Sequence, residues 1–189
     1  MLEGNLYDRC RGVFLEGVLD ALNRSKAHFE SMQRTAKGLI PVNALALDIY
    51  PWHGSASLAV RVHAVPSESR YVIADWPNFD FANQDTSPVL KKAADLAADC
   101  YRHKPESMEL IEAAHFIFLA AAEALLDPSV AETLQTFGID APKLGDGICG
   151  SHFEYLVLDA DETCHSNYCE IVRANRTTDR LMEAWNTIR

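Results

Sequence analysis

A chain of 189 residues, 48% hydrophobic and 23% charged, can fill one core and is not disordered throughout. Its formal net charge of −10 disfavours nucleic acid and anionic membrane as partners, because both need cationic contacts. Five cysteines, an odd number at uneven spacings, argue against a disulfide framework.

The first residues, Met1-Leu2-Glu3-Gly4-Asn5, lack the basic and apolar regions of a signal peptide. The best apolar run, 113–126, is interrupted by His115 and Glu123, so no membrane span is expected and a cytoplasmic location is inferred. Residues 2–37 space Leu6, Cys10, Val13, Phe14, Val18, Ala21, Leu22 and Phe29 by threes and fours, which predicts one amphipathic helix closed near Gly38. Gly4, Gly12 and Gly17 weaken it by up to about 1 kcal/mol each relative to alanine, so packing must supply its order.

Alternation over 42–50 and again over 57–64, across a loop containing Gly54, predicts a β-hairpin. Residues 71–75 read as a third strand after a turn at 66–69. Ser87 as N-cap with Pro88 at the first helical position opens a helix to about His103. Pro105 precedes a largely buried helix over 106–126, and 128–137 forms a shorter one ending at Gly138. A glycine-bearing loop, 141–151, feeds a strand over 153–158, and 178–188 closes the chain as an amphipathic helix. Strands early, helices in the middle and one late strand imply a single α+β domain over 1–189. Its small, mostly antiparallel sheet, an early hairpin plus a late strand beside it, packs against several helices.

Chemistry-bearing residues concentrate after that late strand. Asp159, Asp161 and Thr163 match the nucleophile motif of haloacid-dehalogenase-type phosphatases, in which the first aspartate attacks phosphorus, the second acts as acid/base and both help hold Mg²⁺. The resemblance stops there. Too few residues follow Thr163 for the βα units of that fold, and no lysine lies beyond Lys143 to hold a phosphoryl group. For zinc, Cys164 and Cys169 fit the permissive end of the usual Cys-x₂₋₄-Cys spacing, but a second pair is not evident. Cys149 with His152 would have to supply it, while buried thiols are the commoner reading. Cys149 in its glycine-rich loop is a weak nucleophile candidate beside the simpler reading of a tight turn. No catalytic residue, metal ligand or cofactor is assigned on this basis.

Charge placement is more telling. Asp75, Asp80 and Asp85 are the only charges between Arg70 and Lys91. Glu154, Asp159, Asp161 and Glu162 fall in a second stretch, from Lys143 to Arg173, without Lys or Arg. Trp76, set among these carboxylates, either lines a groove for a partner or caps the sheet and fills the core.

The order of a long N-terminal helix, the hairpin strand 43–50, the triplet Ala74-Asp75-Trp76, helices and a late strand ending at Asp159-Ala160-Asp161 carries a family resemblance. It resembles, over residues 5–175, the uncharacterised bacterial domains of the DUF4303 kind, some of which look like immunity proteins encoded beside polymorphic toxins. Such families have no assigned catalytic residues. The resemblance implies a non-enzymatic binding protein that neutralises a basic protein partner. Its expected binding residues are Asp75, Trp76, Asp80, Asp159, Asp161 and Glu162. The alternative is a metal-dependent hydrolase or phosphatase built on Asp159 and Asp161.

Overall fold

The computed structural model describes residues 2–35, 38–39, 42–62, 71–143, 153–159 and 167–175. Helices α1 (Leu2–Arg24) and α2 (Lys26–Gln33) replace the single long helix expected. The break is local: the Ser25 amide divides its hydrogen bond between the carbonyls of Ala21 and Leu22, both at 3.1 Å, which tightens the last turn of α1. A minimal antiparallel pair follows, β1 (Arg34–Thr35) and β2 (Gly38–Leu39).

The expected hairpin forms from β3 (Val42–Tyr50) and β4 (Ser55–Val62). Its tight loop needs Gly54, whose φ of +65° puts it in the left-handed region. The third strand lies further along than expected. Residues Ile73–Asp75 form a 3-10 turn, and β5 spans Asn78–Asn83. Ile73 and Trp76, three apart and both buried, suit three residues per turn better than strand alternation.

Helix α3 (Pro88–Arg102) starts as its sequence dictates, with the Ser87 hydroxyl accepting the Leu90 amide and Pro88 following. Helix α4 (Leu110–Leu125) begins later than Pro105, at a capping box of Glu109 and Glu112. Helix α5 (Pro128–Thr136) is capped by Asp127, whose carboxylate also receives Arg11 of α1. Strand β6 (Glu154–Leu156) and helix α6 (Tyr168–Asn175) complete the described chain; the expected closing helix at 178–188 lies outside it.

The four-stranded sheet has the order β5-β4-β3-β6. Both contacts within β5-β4-β3 are antiparallel, while β6 runs parallel to β3, so the sheet is mixed but mostly antiparallel. Leu45, Leu47, Ile49, Leu58 and Val60 are buried with the apolar sides of α1, α3 and α4 in the main core. No helix among the described residues is long and apolar enough to cross a membrane.

The two glycines in the middle of α1 carry opposite consequences. A Cβ on Gly17 would sit 3.0 Å from Leu90 Cα, so this glycine sets how closely α1 and α3 approach. A Cβ on Gly12 would meet nothing within 4 Å. Gly17→Val is therefore expected to cost about 2 kcal/mol by forcing the helices apart. Gly12→Ala is expected to gain about 0.5–1 kcal/mol from helix propensity alone. Urea midpoints of the two variants check both signs.

Candidate functional site

The outer face of the sheet is built from small residues. Ala44 and Ala46 of β3, Ala59 of β4 and Leu156 of β6 form a second apolar cluster, closed over by Ile73 and Trp76. Trp76 is only 1% exposed, so its ring fills the shallow space that the alanines leave rather than facing a partner. Arg61 comes in beside it. Its guanidinium lies 5.3 Å from the Trp76 ring centroid and donates to Asn43 Oδ1 at 2.8 Å and Glu154 Oε2 at 2.7 Å. The register explains the reach: Ala44 pairs with Arg61 on one side and Glu154 on the other, and its methyl lets the long side chain cross β3.

This anchor positions what surrounds it. Asp75 is exposed immediately before Trp76 and Phe79 shortly after, with the Phe79 amide donating to the Trp76 carbonyl. Strand β5 then bulges. Asn78 pairs with Val60 and Ala82 with Leu58, so Phe79, Asp80 and Phe81 together face the single residue Ala59. The extra residues break strict alternation. Phe81 turns inward onto Phe29, with ring centroids 4.3 Å apart, while Phe79 stays 49% exposed and Asp80 is exposed beside it.

A bonded turn follows. Asn83 Oδ1 accepts the amides of Asp85 and Thr86, Asn83 Nδ2 donates to Asp80 Oδ2 at 3.0 Å, and the Thr86 hydroxyl bonds the Asn83 carbonyl. The Asn83 side chain thus holds the Asp80 carboxylate and the Asp85 amide in one turn. Tyr71 and Val72 add exposed apolar surface at the start of the segment.

Asp159 stands elsewhere. It follows β6, across the sheet from β5, about 14 Å away by three inter-strand spacings. It is 7% exposed. Its charge acts on buried His115 of α4, whose pKa burial lowers against a smaller upward pull from Asp159. The His115 ring lies 5.7 Å from that of Tyr168 on α6. Asn167 fixes this corner: its Oδ1 accepts the Val157 and Cys169 amides, and its Nδ2 donates to the Tyr155 carbonyl at 2.9 Å. Burial pushes the Cys169 thiol up, away from reactivity.

Of the expected binding residues, Asp75 and Asp80 share the exposed 71–85 segment, Trp76 lies beneath it, and Asp159 is buried at the opposite edge. Asp161 and Glu162 lie outside the described residues, as do Cys149, His152, Thr163, Cys164 and His165. Among the described residues no three His, Cys, Asp or Glu side chains gather into a metal-binding group.

Two residues with clear roles carry little signal in the sequence. Arg61 and Asp48 each interrupt an alanine-lined strand face, the one hint being a charge where alternation calls for something small. Asp48 is buried on β3, and burial raises its carboxyl to about 6 against the hydrogen bond from Tyr50. No protein-family model, curated protein or solved structure matches the chain.

Proposed function

We propose that this chain is a binding protein, and that the 71–85 segment is its docking edge for a cationic stretch of a partner protein. The observation that carries this reading is the bulged edge strand β5. It sets Phe79 and Asp80 outward between exposed Asp75 and Asp85, in a segment with no Lys or Arg from 71 to 90. An exposed aromatic ring flanked by carboxylates offers one apolar anchor and complementary charge to a Lys- or Arg-rich segment. The bulge disrupts the ladder and disfavours simple addition of a partner strand, so recognition works through side chains. Trp76 and Arg61 serve from beneath by holding the backbone in place. An immunity-type role, neutralising a basic toxin, is the specific form of this reading that the family resemblance favours.

A fluorescent Arg-rich peptide with one leucine anchor is a direct probe. Binding is expected to weaken steeply with salt, and Asp75→Lys with Asp85→Lys to reduce affinity at least tenfold. Asp80→Asn tests the third carboxylate without adding a cation beside Asn83. Asp159→Asn is expected to leave peptide affinity unchanged. Unaltered binding after the charge reversals would count against the edge, and phosphate-ester turnover lost in Asp159→Asn would overturn the binding-only view.

A further inference from the structure

We propose that Cys10 and Cys100 form a peroxide-oxidisable dithiol whose disulfide staples α1 to α3. The two sulfur atoms lie 3.5 Å apart although the residues are 90 positions apart in sequence. Both cysteines are free thiols. Their approach is produced by the helix pair itself. Gly17 brings α1 against Leu90 of α3, and the Ser87 hydroxyl donates to Asp20 Oδ2 at 2.7 Å further along the interface. With 20 beside 87, 17 beside 90 and 10 beside 100, the helices run antiparallel over this length. The sulfurs need to close by about 1.5 Å to reach bonding distance, a shift that side-chain rotation supplies while the helices stay in place.

The two thiols are not equivalent. Cys10 is fully buried, whereas Cys100 is partly exposed. The shared hydrogen bond pushes Cys10 up and Cys100 down, so the thiolate forms at the sulfur an oxidant can reach. In the first step the Cys100 sulfur attacks one oxygen of a hydroperoxide. The O–O bond breaks, a sulfenic acid forms, and the leaving oxygen departs as water or an alcohol. In the second, the Cys10 sulfur attacks the Cys100 sulfur, its proton joins the departing hydroxide as water, and the S–S bond forms. Two thiols lose two electrons in total and the peroxide gains them.

The test treats reduced full-length protein with graded hydrogen peroxide, alkylates the remaining thiols after denaturation, and maps tryptic peptides by mass spectrometry. The expected product joins the dipeptide Cys10-Arg11 to the peptide 93–102, lighter by two hydrogen atoms than the separate peptides and released by dithiothreitol. In Cys10→Ser the reaction is expected to stop at a Cys100 sulfenic acid that dimedone traps. In Cys100→Ser, Cys10 is expected to remain alkylatable after peroxide. The wild-type map decides the matter even if a variant folds poorly. Cross-links joining other cysteines instead, or a Cys100 left reduced at peroxide doses that oxidise glutathione in the same buffer, would overturn the proposal.

Discussion

Arg61→Met is expected to lower folding stability by about 3 kcal/mol, the low end of the range for breaking a buried ion pair. The Arg61 side chain is 7% exposed and that of its partner Glu154 is 23%, so removing the guanidinium takes a charge-assisted hydrogen bond from a carboxylate with limited access to water. The same substitution removes the cation from beside Trp76 and the donor from Asn43. Most of the cost should come from a poorly hydrated carboxylate losing its cation rather than from the lost packing of the arginine. The double variant Arg61→Met with Glu154→Met is therefore expected to recover most of the loss, since an apolar pair of similar size often replaces a buried ion pair without penalty. Urea unfolding of wild type, both single variants and the double variant closes the cycle. A double variant as unstable as Arg61→Met would show that the cost lies in packing instead. The substitution also tests the proposed docking edge: with Trp76 less firmly held, the backbone carrying Asp75, Phe79 and Asp80 loosens, and on that proposal peptide affinity should fall although none of the proposed docking residues has changed.

Local signals in this chain were legible and long-range ones were not, for reasons visible in particular residues. Ser87 and Pro88 announce α3 because an N-cap and its proline act within one turn. The alternation in β3 and β4 declares the hairpin because both its strands sort residues between two faces. Strand β5 escaped that reading: its bulge places Phe79 and Asp80 outward in succession, which erases the period of two. Helix α6 depends on Asn167 bonding to Tyr155 and Val157, contacts that bridge 12 and 10 positions of sequence. The pairings of Arg61 with Glu154, 93 positions apart, and of Cys10 with Cys100 arise only when the sheet and helices close. For the site, the charge desert around Asp75, Asp80 and Asp85 was plain in the sequence. What it could not convey was that Asp159 belongs to the other edge of the sheet, because nothing local records strand order.

Asp48→Asn is expected to make the protein more stable at neutral pH, by up to about 3 kcal/mol, the free energy of a carboxyl raised from 3.8 to about 6. Burial causes the rise, and the Tyr50 hydroxyl, donating to the carboxylate, only partly offsets it. Because the folded state holds this proton more tightly than the unfolded chain, the sign runs against that of most acidic groups. Asp48's contribution is most favourable below 3.8. It is lost progressively as pH rises, and its full penalty stands above about 6. The asparagine keeps an oxygen for Tyr50 and carries no charge to desolvate, so its stability should lack this component of the pH dependence. Urea midpoints of both proteins from acid to neutral pH are the measurement. Curves that converge near pH 4 and separate steadily toward neutrality would establish the buried charge as the cause. Parallel curves would mean that Asp48 reaches water or a cation when ionised, and that its carboxylate is no burden on the fold.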